Sequence, residues 1–554
     1  FLLQFILYKK KKKLSSVITL VRFFKRYLLI IGISIILVYC NQSLYTFASS
    51  FMSKILSSIP GNMSKSIAKY DTIVIGSGLA GLTTTYQLLK AGQKVALLEK
   101  SEKLGGNSIK ASSGINGVPT KYQKQPLTDS IESFVQDTLK TGKNLNDKKM
   151  VDILTKNSRD AIYWLSDEIN VDLSNVVLLG GHSHARTHKG DKLPPGFAIV
   201  SALTKKLDGF QAENPDQLTI LKSSTLTKIL TEGNKVKGIE FTDSEKQPQE
   251  MYADNVVLAT GGFSADFDSP TSLLQKYRPD LLGFPLSNGA QTTGDGQKIA
   301  ERDVNAELIH MDKVQVHPTG FMKVSNPNEN WKFLCGELMR GIGGILLSPV
   351  TGWRFVDELQ PRDVVTDAVL KHSQIGQNNE IGLKSDNGDG YGSVIVISGN
   401  DYQKATTHIE FYKSQGLLQE GSIEDLYYLL IKLNPKLPLT LDQLKDKFSG
   451  CDAIIEGTQQ DSLGRTKFGG RFGDLKKLYF GVTTPVVHFT MGGIKVNPSN
   501  AKVVTKSGDT ISNLFAIGEV SAGVHGNNRL GGSSLLECVV FGRFVSENIL
   551  SGKN

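Results

Sequence analysis

The chain has 554 residues, room for roughly three to four average domains, and its 40% hydrophobic and 21% charged content marks an ordinary folded protein, neither disordered nor fibrous. Residues 1–70 hold nine lysines, two arginines and no acid, which leaves 52 basic against 54 acidic residues elsewhere, so the formal +9 belongs to the N-terminal stretch and the body shows no charge signature for nucleic acid. The four cysteines (Cys40, Cys335, Cys451, Cys538) form no CxxC pair, which excludes covalent haem attachment, an iron–sulfur ligand run and a zinc ribbon.

Residues 1–68 read as a targeting leader. Lys9–Lys13 is a solvated charge run; Arg22, Lys25 and Arg26 then precede about fourteen apolar residues, Tyr27 to Cys40, and a polar, small-residue stretch, Asn41 to Ser50. That length is short for a full span and suits a signal h-region or short signal anchor, while an acid-free, Arg- and Ser-containing leader also suits mitochondrial import. The expected address is mitochondrial, endoplasmic-reticular or both, with membrane association through the leader alone. The first residue is Phe1, and a start at Met63 gives a leaderless, soluble cytoplasmic form.

The organising stretch is Asp71 to Gly81, DTIVIGSGLAG. A β-rich run enters Gly76, Gly78 and Gly81, and a helix follows from about Leu82 to Ala91. The first glycine permits a tight turn, the second lets backbone approach a pyrophosphate, and the third lets helix pack on strand; the helix N-terminus, through Leu79 and Ala80, offers free N–H groups. A second strand, Lys94 to Leu98, delivers Glu99 and Lys100, with the Glu99 carboxylate placed to accept from a ribose 2′-hydroxyl. At this point NAD and FAD are equally permitted.

The Gly-, Ser- and Asn-rich run Leu104 to Val118 reads as a cofactor loop, residues 128–170 as scaffold helices, and 218–262 as short strands ending in Ala259-Thr260-Gly261-Gly262 beside the same nucleotide. GGHSHARTH, Gly180 to His188, gathers three histidines without the Cys or carboxylate ligands a metal site needs, so it reads as a loop packing near the cofactor. Asp295 heads a helix after another glycine-rich loop. Residues 372–450 look mixed with long polar connections, and Leu514 to Phe544 reads as strand, glycine-rich loop and a helix following Gly531-Gly532-Ser533-Ser534, a second anion-ready helix start.

Together GSGLAGL, EKSEKLGGNS, ATGG, HPTG, RGIGG, RFVDELQPRD, HFTMGG and GEVSAGVHGNNRLGG, in this order from Lys69 to Ile549, resemble the flavoprotein family of fumarate reductases and succinate dehydrogenases, nearest its soluble fungal-type fumarate reductases. The resemblance implies an α/β fold: a Rossmann-like FAD-binding domain with a doubly wound sheet in two segments, 69–311 and 489–554, and an inserted α+β capping domain at 312–488. It settles the dinucleotide as one FAD per chain. Gly76, Gly78, Gly81 and Glu99 match the AMP-half contacts; Gly106, Asn107, Ser108, Ser113, Gly114, Asn116, Thr260, Gly261, Asp295, Glu519, Ser534 and Leu535 match the rest. Where the membrane complexes carry the histidine that bonds covalently to flavin, this chain reads Gly106-Asn107-Ser108, implying non-covalent FAD and net fumarate reduction.

Reducing fumarate needs a hydride at one alkene carbon and a proton at its neighbour, on a dianion whose developing charge calls for planar cationic donors. By resemblance Arg529, His488 and Thr490 grip one carboxylate end and His317 the other, while Arg362 is the proton donor, resupplied through Glu337 and Arg340. Bottom-up chemistry alone makes Arg362 a clamp, since an Arg is ordinarily a permanent cation. Gly336 stands where some members have Thr, and Phe489 where some have a second His. Rival readings are a reductase of urocanate or methacrylate, an L-aspartate oxidase, a ketosteroid dehydrogenase, or an electron-transfer subunit of a membrane complex. With no second complete GxGxxG, the expected electron donor is a free reduced flavin, FADH2 or FMNH2, or an unidentified reductase.

Overall fold

The computed structural model describes residues 69–376, 378–384 and 390–552; the leader expected at 1–68 lies outside them. Strands β1 (Lys69–Ile75), β2 (Val95–Leu98), β3 (Leu218–Leu221), β4 (Thr225–Glu232), β5 (Lys235–Thr242) and β6 (Pro248–Leu258) come from the first part of the chain. Strands β7 (Val314–Phe321), β8 (Ile345–Leu347), β9 (Ser393–Ser398), β10 (Gln419–Gly421) and β11 (Leu478–Thr490) follow, and β12 (Lys502–Val504) and β13 (Thr510–Ala516) close it. The helices that matter here are α1 (Leu79–Lys90), α2 (Asp295–Val304), α3 (Leu338–Gly341), α4 (Arg362–His372) and α5 (Ser533–Leu550).

An eight-stranded sheet runs β12-β13-β5-β6-β1-β2-β3, with β4 paired to β5. Its centre is parallel: β3 on β2, β2 on β1, β1 on β6, and β6 on β13. Buried on both faces, these strands read as continuous apolar runs, as in TIVI, VALL and NVVL. The carboxyl ends of β1, β2, β6 and β13 open on one edge, where α/β sheets bind ligands. Helix α1 buries Leu79, Leu82 and Leu89 against the sheet. It lies against α5 at Gly542, where a Cβ would come 2.9 Å from that of Thr83.

A second, antiparallel sheet runs β7-β11-β9-β8, with β10 on β11, and holds the segment between the two parts of the first sheet. Its core sets Ile345, Leu347, Val394, Val396, Phe480 and Val482 under helices Ile423–Leu433 and Leu441–Ile455. Both helices open with capping boxes, Ser422 with Asp425 and Thr440 with Gln443. With Thr406–Ser414, they make the 372–450 region more helical than its polar connections suggest. Strand β11 runs unbroken through position 488, so the expected boundary there falls inside a strand. Among the described residues, no helix is long and apolar enough to cross a membrane.

The β7–β11 pairing joins stretches about 170 positions apart. Val314 faces Thr490, Gln315 faces Phe489, Val316 faces Val487 and His317 faces Val486, with irregularities between Gln315 and Val316 and after His317. Motifs HPTG and VVHFTMGG thereby become neighbours.

Candidate active site

A long cavity of about 1550 Å3 between its walls follows the carboxyl edge of the parallel sheet. Its first end is the glycine turn. Gly76 takes φ +101°, and a Cβ there would lie 2.3 Å from the Ala259 carbonyl oxygen. A Cβ on Gly81 would lie 1.9 Å from the Gly76 carbonyl, so this glycine lets α1 close on the turn and does not line the cavity. At Gly78 the nearest neighbour is the Ser108 hydroxyl at 3.6 Å, which leaves the backbone open to a ligand. The Glu99 carboxylate accepts from the backbone N–H and hydroxyl of Ser77 (2.9 and 2.5 Å) and from Ser101 N–H (2.7 Å), and it also lines the cavity. Lys100 reaches across to Asp295 (2.7 Å) and the Thr293 hydroxyl (2.8 Å), tying α2 to the turn.

Two helix N-termini converge on this cavity. The residues preceding them, Gly78 before α1 and Gly532 before α5, cap neither with a side chain. The Ser108 hydroxyl instead accepts from Leu79 N–H at 3.1 Å. Asn107 bridges Thr292 (2.7 Å) and Gly289 N–H (2.9 Å). Gly106, Ser113, Gly114, Thr260, Gly261, Ser534 and Leu535 line the walls, and the buried Thr260 hydroxyl has no protein partner. Two helix starts with glycine at the cap, an acidic residue after the second strand, glycines where backbone must be approached and an unpartnered buried hydroxyl fit an extended dinucleotide with a diphosphate in the middle, and so fit FAD.

The far end is built of charged groups. Arg362, first residue of α4, donates through Nε and Nη2 to one oxygen of Glu337 (2.8 and 2.7 Å) and through Nη1 to Gln315 Oε1 (2.8 Å). Arg529 Nη2 donates to the same Gln315 oxygen at 3.3 Å, while its Nε is buried without a partner. The Phe489 ring lies under the Arg529 guanidinium, 4.3 Å away. His317 and His488 meet edge to face at 5.3 Å; His488 Nδ1 contacts the Ser287 hydroxyl at 2.8 Å. His317 Nδ1 accepts from Thr319 N–H, and its Nε2 is buried and unpartnered. Behind Arg362, Arg340 lies 4.0 Å from the other Glu337 oxygen and donates to the Glu358 carbonyl.

Burial dictates the protonation states. Desolvation, reinforced by the neighbouring arginines, holds His317 and His488 well below the ordinary imidazole value, so both are neutral. Burial and then the Arg362 charge bring Arg529 down to about 9. Burial works to raise the Glu337 carboxyl, but Arg362 and Arg340 outweigh it and hold the group below its usual range. The positive charge facing a ligand here therefore comes from arginine, with neutral imidazoles as additional hydrogen-bonding groups.

Of the residues expected from sequence, Arg362, His488 and Arg529 line the cavity, whereas Glu337, Arg340 and His317 stand directly behind or beside them. Two expectations are corrected. Asn116 does not line the cavity: its amide donates to Gly531 O and Ser533 Oγ and accepts from Thr187, which makes it a strut between chain segments. Thr490 is turned toward Glu519, to which both its N–H and hydroxyl donate at 3.0 Å, so it holds that carboxylate instead of facing the arginines. Nor does GGHSHARTH line the cofactor cavity. His182 supports the Gly531 carbonyl at 2.9 Å and rests on buried Arg186, itself paired with Asp129 and Asp137. Among the described residues, no group of three or more His, Cys, Asp or Glu could hold a metal ion.

Gln315 and Ser287 lie outside the quoted motifs, and Asn528, though inside GEVSAGVHGNNRLGG, is not marked by its chemistry there. The one local signal for Gln315 was its position two residues before His317, the spacing that shares a strand face. The departure at Gly336 also has a structural counterpart: a Cβ there would come 2.6 Å from the Ser112 hydroxyl, which lines the cavity and occupies that space.

Comparison with known proteins places this geometry. The family described as FAD binding domain matches residues 71–535. The chain is 40% identical over 489 residues to fumarate reductase 1 of Saccharomyces cerevisiae, covering 87% of this chain and 98% of that protein. It is 38% identical over 485 residues to the fumarate reductase of Schizosaccharomyces pombe, covering 86% and 89%. Among solved structures, the open conformation of a flavocytochrome c3 fumarate reductase superposes with a TM-score of 0.65 at 27% identity, over 91% of this chain and 81% of that one.

Proposed function

The chain belongs to the FAD-binding flavoprotein family of fumarate reductases and succinate dehydrogenases, and from that premise we propose that it is an FAD-dependent fumarate reductase, reducing fumarate to succinate. The observation carrying the proposal is a pair of buried guanidiniums, Arg362 and Arg529, on one cavity wall with His488, one of them backed by a buried carboxylate. Bound FAD, once reduced, supplies a hydride to one alkene carbon.

Arg529 and His488 hold one carboxylate of the dianion and His317 meets the other, by its unpartnered Nε2. As the hydride arrives, charge spreads into a carboxylate already facing Arg362 and Arg529, where water is excluded and fixed donors act strongly. Arg362 gives its proton to the neighbouring carbon. An Arg serves as acid here because the accepting carbon is carbanion-like and far more basic than water. Loss of the Arg362 charge removes the chief interaction holding Glu337 low, so that carboxyl gains basicity at the moment it is needed. It takes a proton from the Arg340 side and returns it to Arg362 across 2.7 to 2.8 Å.

The matched residues that line the cavity hold FAD non-covalently, one per chain, within the segments before β7 and after β11, with the segment between them as the capping domain. A diffusible reduced flavin, FADH2 or FMNH2, is the electron donor we favour, since the sequence has neither cluster ligands nor a second complete dinucleotide fingerprint. The leader directs the chain to mitochondria or the endoplasmic reticulum. Purified protein assayed with fumarate, urocanate, methacrylate and L-aspartate against reduced FMN, reduced FAD and NADH tests the reading. Preferred turnover of fumarate with reduced flavin, and free FAD on acid precipitation, are expected. Flavin left bound to the precipitate, or activity only with an added iron–sulfur subunit, overturns it.

A further inference from the structure

The two arginines of the site are cross-tied from behind by their own chain neighbours. Asp363 follows Arg362, and Asn528 precedes Arg529. Asn528 Nδ2 donates to Asp363 Oδ1 at 2.7 Å, and Asn528 Oδ1 accepts from Gln315 Nε2 at 2.5 Å. Gln315 Nε2 also donates to the Arg529 carbonyl at 2.9 Å, and Gln315 Oε1 accepts from both guanidiniums. Gln315, Asn528 and Asp363 face a second cavity, of about 1070 Å3 between its walls, which shares no lining residue with the first.

The order of donors along this chain is forced. A carboxylate only accepts, so Asn528 must turn its NH2 toward Asp363. Its oxygen then faces Gln315, which must present its own NH2, and that leaves the Gln315 oxygen as the shared acceptor between Arg362 and Arg529. Reversed, Gln315 would aim N–H donors at two cations. Lys143 pairs with the other Asp363 oxygen at 2.8 Å from an exposed position, where an ion pair contributes little.

Resting on the reading that Arg362 and Arg529 grip the substrate, we propose that Asp363 and Asn528 are positioning residues which, through the amide of Gln315, set the spacing and aim of the two guanidiniums. Neither touches substrate; both act through the shared oxygen. The pair also links α4, in the inserted segment, to the loop before α5.

The test is a pair of double-mutant cycles, Asp363→Ala with Gln315→Ala and Asn528→Leu with Gln315→Ala, in the FAD-loaded enzyme. The readouts are kcat and KM for fumarate with reduced FMN, flavin content, and succinate affinity from the flavin absorbance change. Each single variant should lose about 10- to 100-fold in kcat, the worth of a hydrogen bond to a charged group. On the Gln315→Ala background each should cost less than about 3-fold more, because the path is already cut. Asp363→Asn, which can still accept from Asn528, should recover most of the loss, and Lys143→Gln should stay within about 2-fold of wild type.

Losses that multiply across the cycles, wild-type kcat in Asp363→Ala, or no rescue by Asp363→Asn overturns the proposal. If Asp363→Ala does not fold, the Asn528→Leu cycle and Asp363→Asn decide. Wild-type protein that binds succinate without reducing fumarate refutes the functional reading alone, and its succinate affinities then report the coupling; protein that does neither overturns both.

Discussion

Arg362→Ala separates the two jobs that the geometry gives this residue. The substitution removes the guanidinium that donates to Glu337 and to Gln315, and leaves Glu337, 1% exposed, with only Arg340 at 4.0 Å. Breaking a buried pair from one side costs about 3–5 kcal/mol when the remaining charge stays ionised. Here Glu337 escapes part of that cost by taking a proton, because the leading charge that holds it low has gone. A stability loss nearer about 2–3 kcal/mol is therefore expected, with FAD retained, since the turn at Gly76 and Glu99 is untouched. The kinetic loss is larger. A missing general acid costs about 10²- to 10⁴-fold, and a missing donor to developing charge a further 10² or so, so kcat should fall by at least about 10⁴. Oxidation of reduced FMN by fumarate, flavin content and thermal melting together measure this. Arg362→Lys should rescue little, because an ammonium cannot face Glu337 and Gln315 in one plane. Turnover within tenfold of wild type in an FAD-loaded Arg362→Ala enzyme would refute the assignment of Arg362 as acid.

Three further outcomes are expected. Gly81→Ala drives a methyl toward the Gly76 carbonyl at 1.9 Å, so purified protein should come out flavin-poor at normal or reduced yield, read from the ratio of flavin to protein absorbance. Burial raises Glu519 to about 7 from an ordinary 4.5; between those values the unfolded chain has lost a proton that the folded chain keeps, so stability of the flavin-free protein falls as pH rises through that window, by at most about 3 kcal/mol. Glu519→Gln should flatten that slope in melts taken between pH 4.5 and 8. Because His317 and His488 are held neutral, KM for fumarate should show no histidine inflection between pH 6 and 8; a tenfold rise across pH 6.5 would contradict that protonation state.

What could be read locally in this chain was read from short-range chemistry. Short apolar runs and β-branching marked β1, β2 and the four strands of 218–258, and the glycine spacing marked the turn because only residues without a Cβ tolerate the approach of Ala259 and of α1. Arg362 was reached through the family resemblance that RFVDELQPRD carries; its own chemistry marked it only as a clamp. Glu337 and Arg340 share one turn, so their proximity was also local.

The rest depended on pairings that leave no local mark. Gln315 lies beside Phe489 only because β7 and β11 pair in one register, and a one-residue slip would turn the other face to the arginines. Asn116 and Thr490 sit in the right stretches, but their side chains are claimed by Gly531 and Glu519, segments brought in by the C-terminal loop. The histidine-rich segment became a brace because Arg186 found two aspartates from a separate helix region. The sequence by itself determined the dinucleotide turn, its strands and the inventory of charged groups, since these follow from covalent neighbours. Which of those groups share an acceptor, and which merely support one that does, was decided by the folding of the inserted segment against the C-terminal loop, where hydrogen-bond directions are set by partners hundreds of positions away.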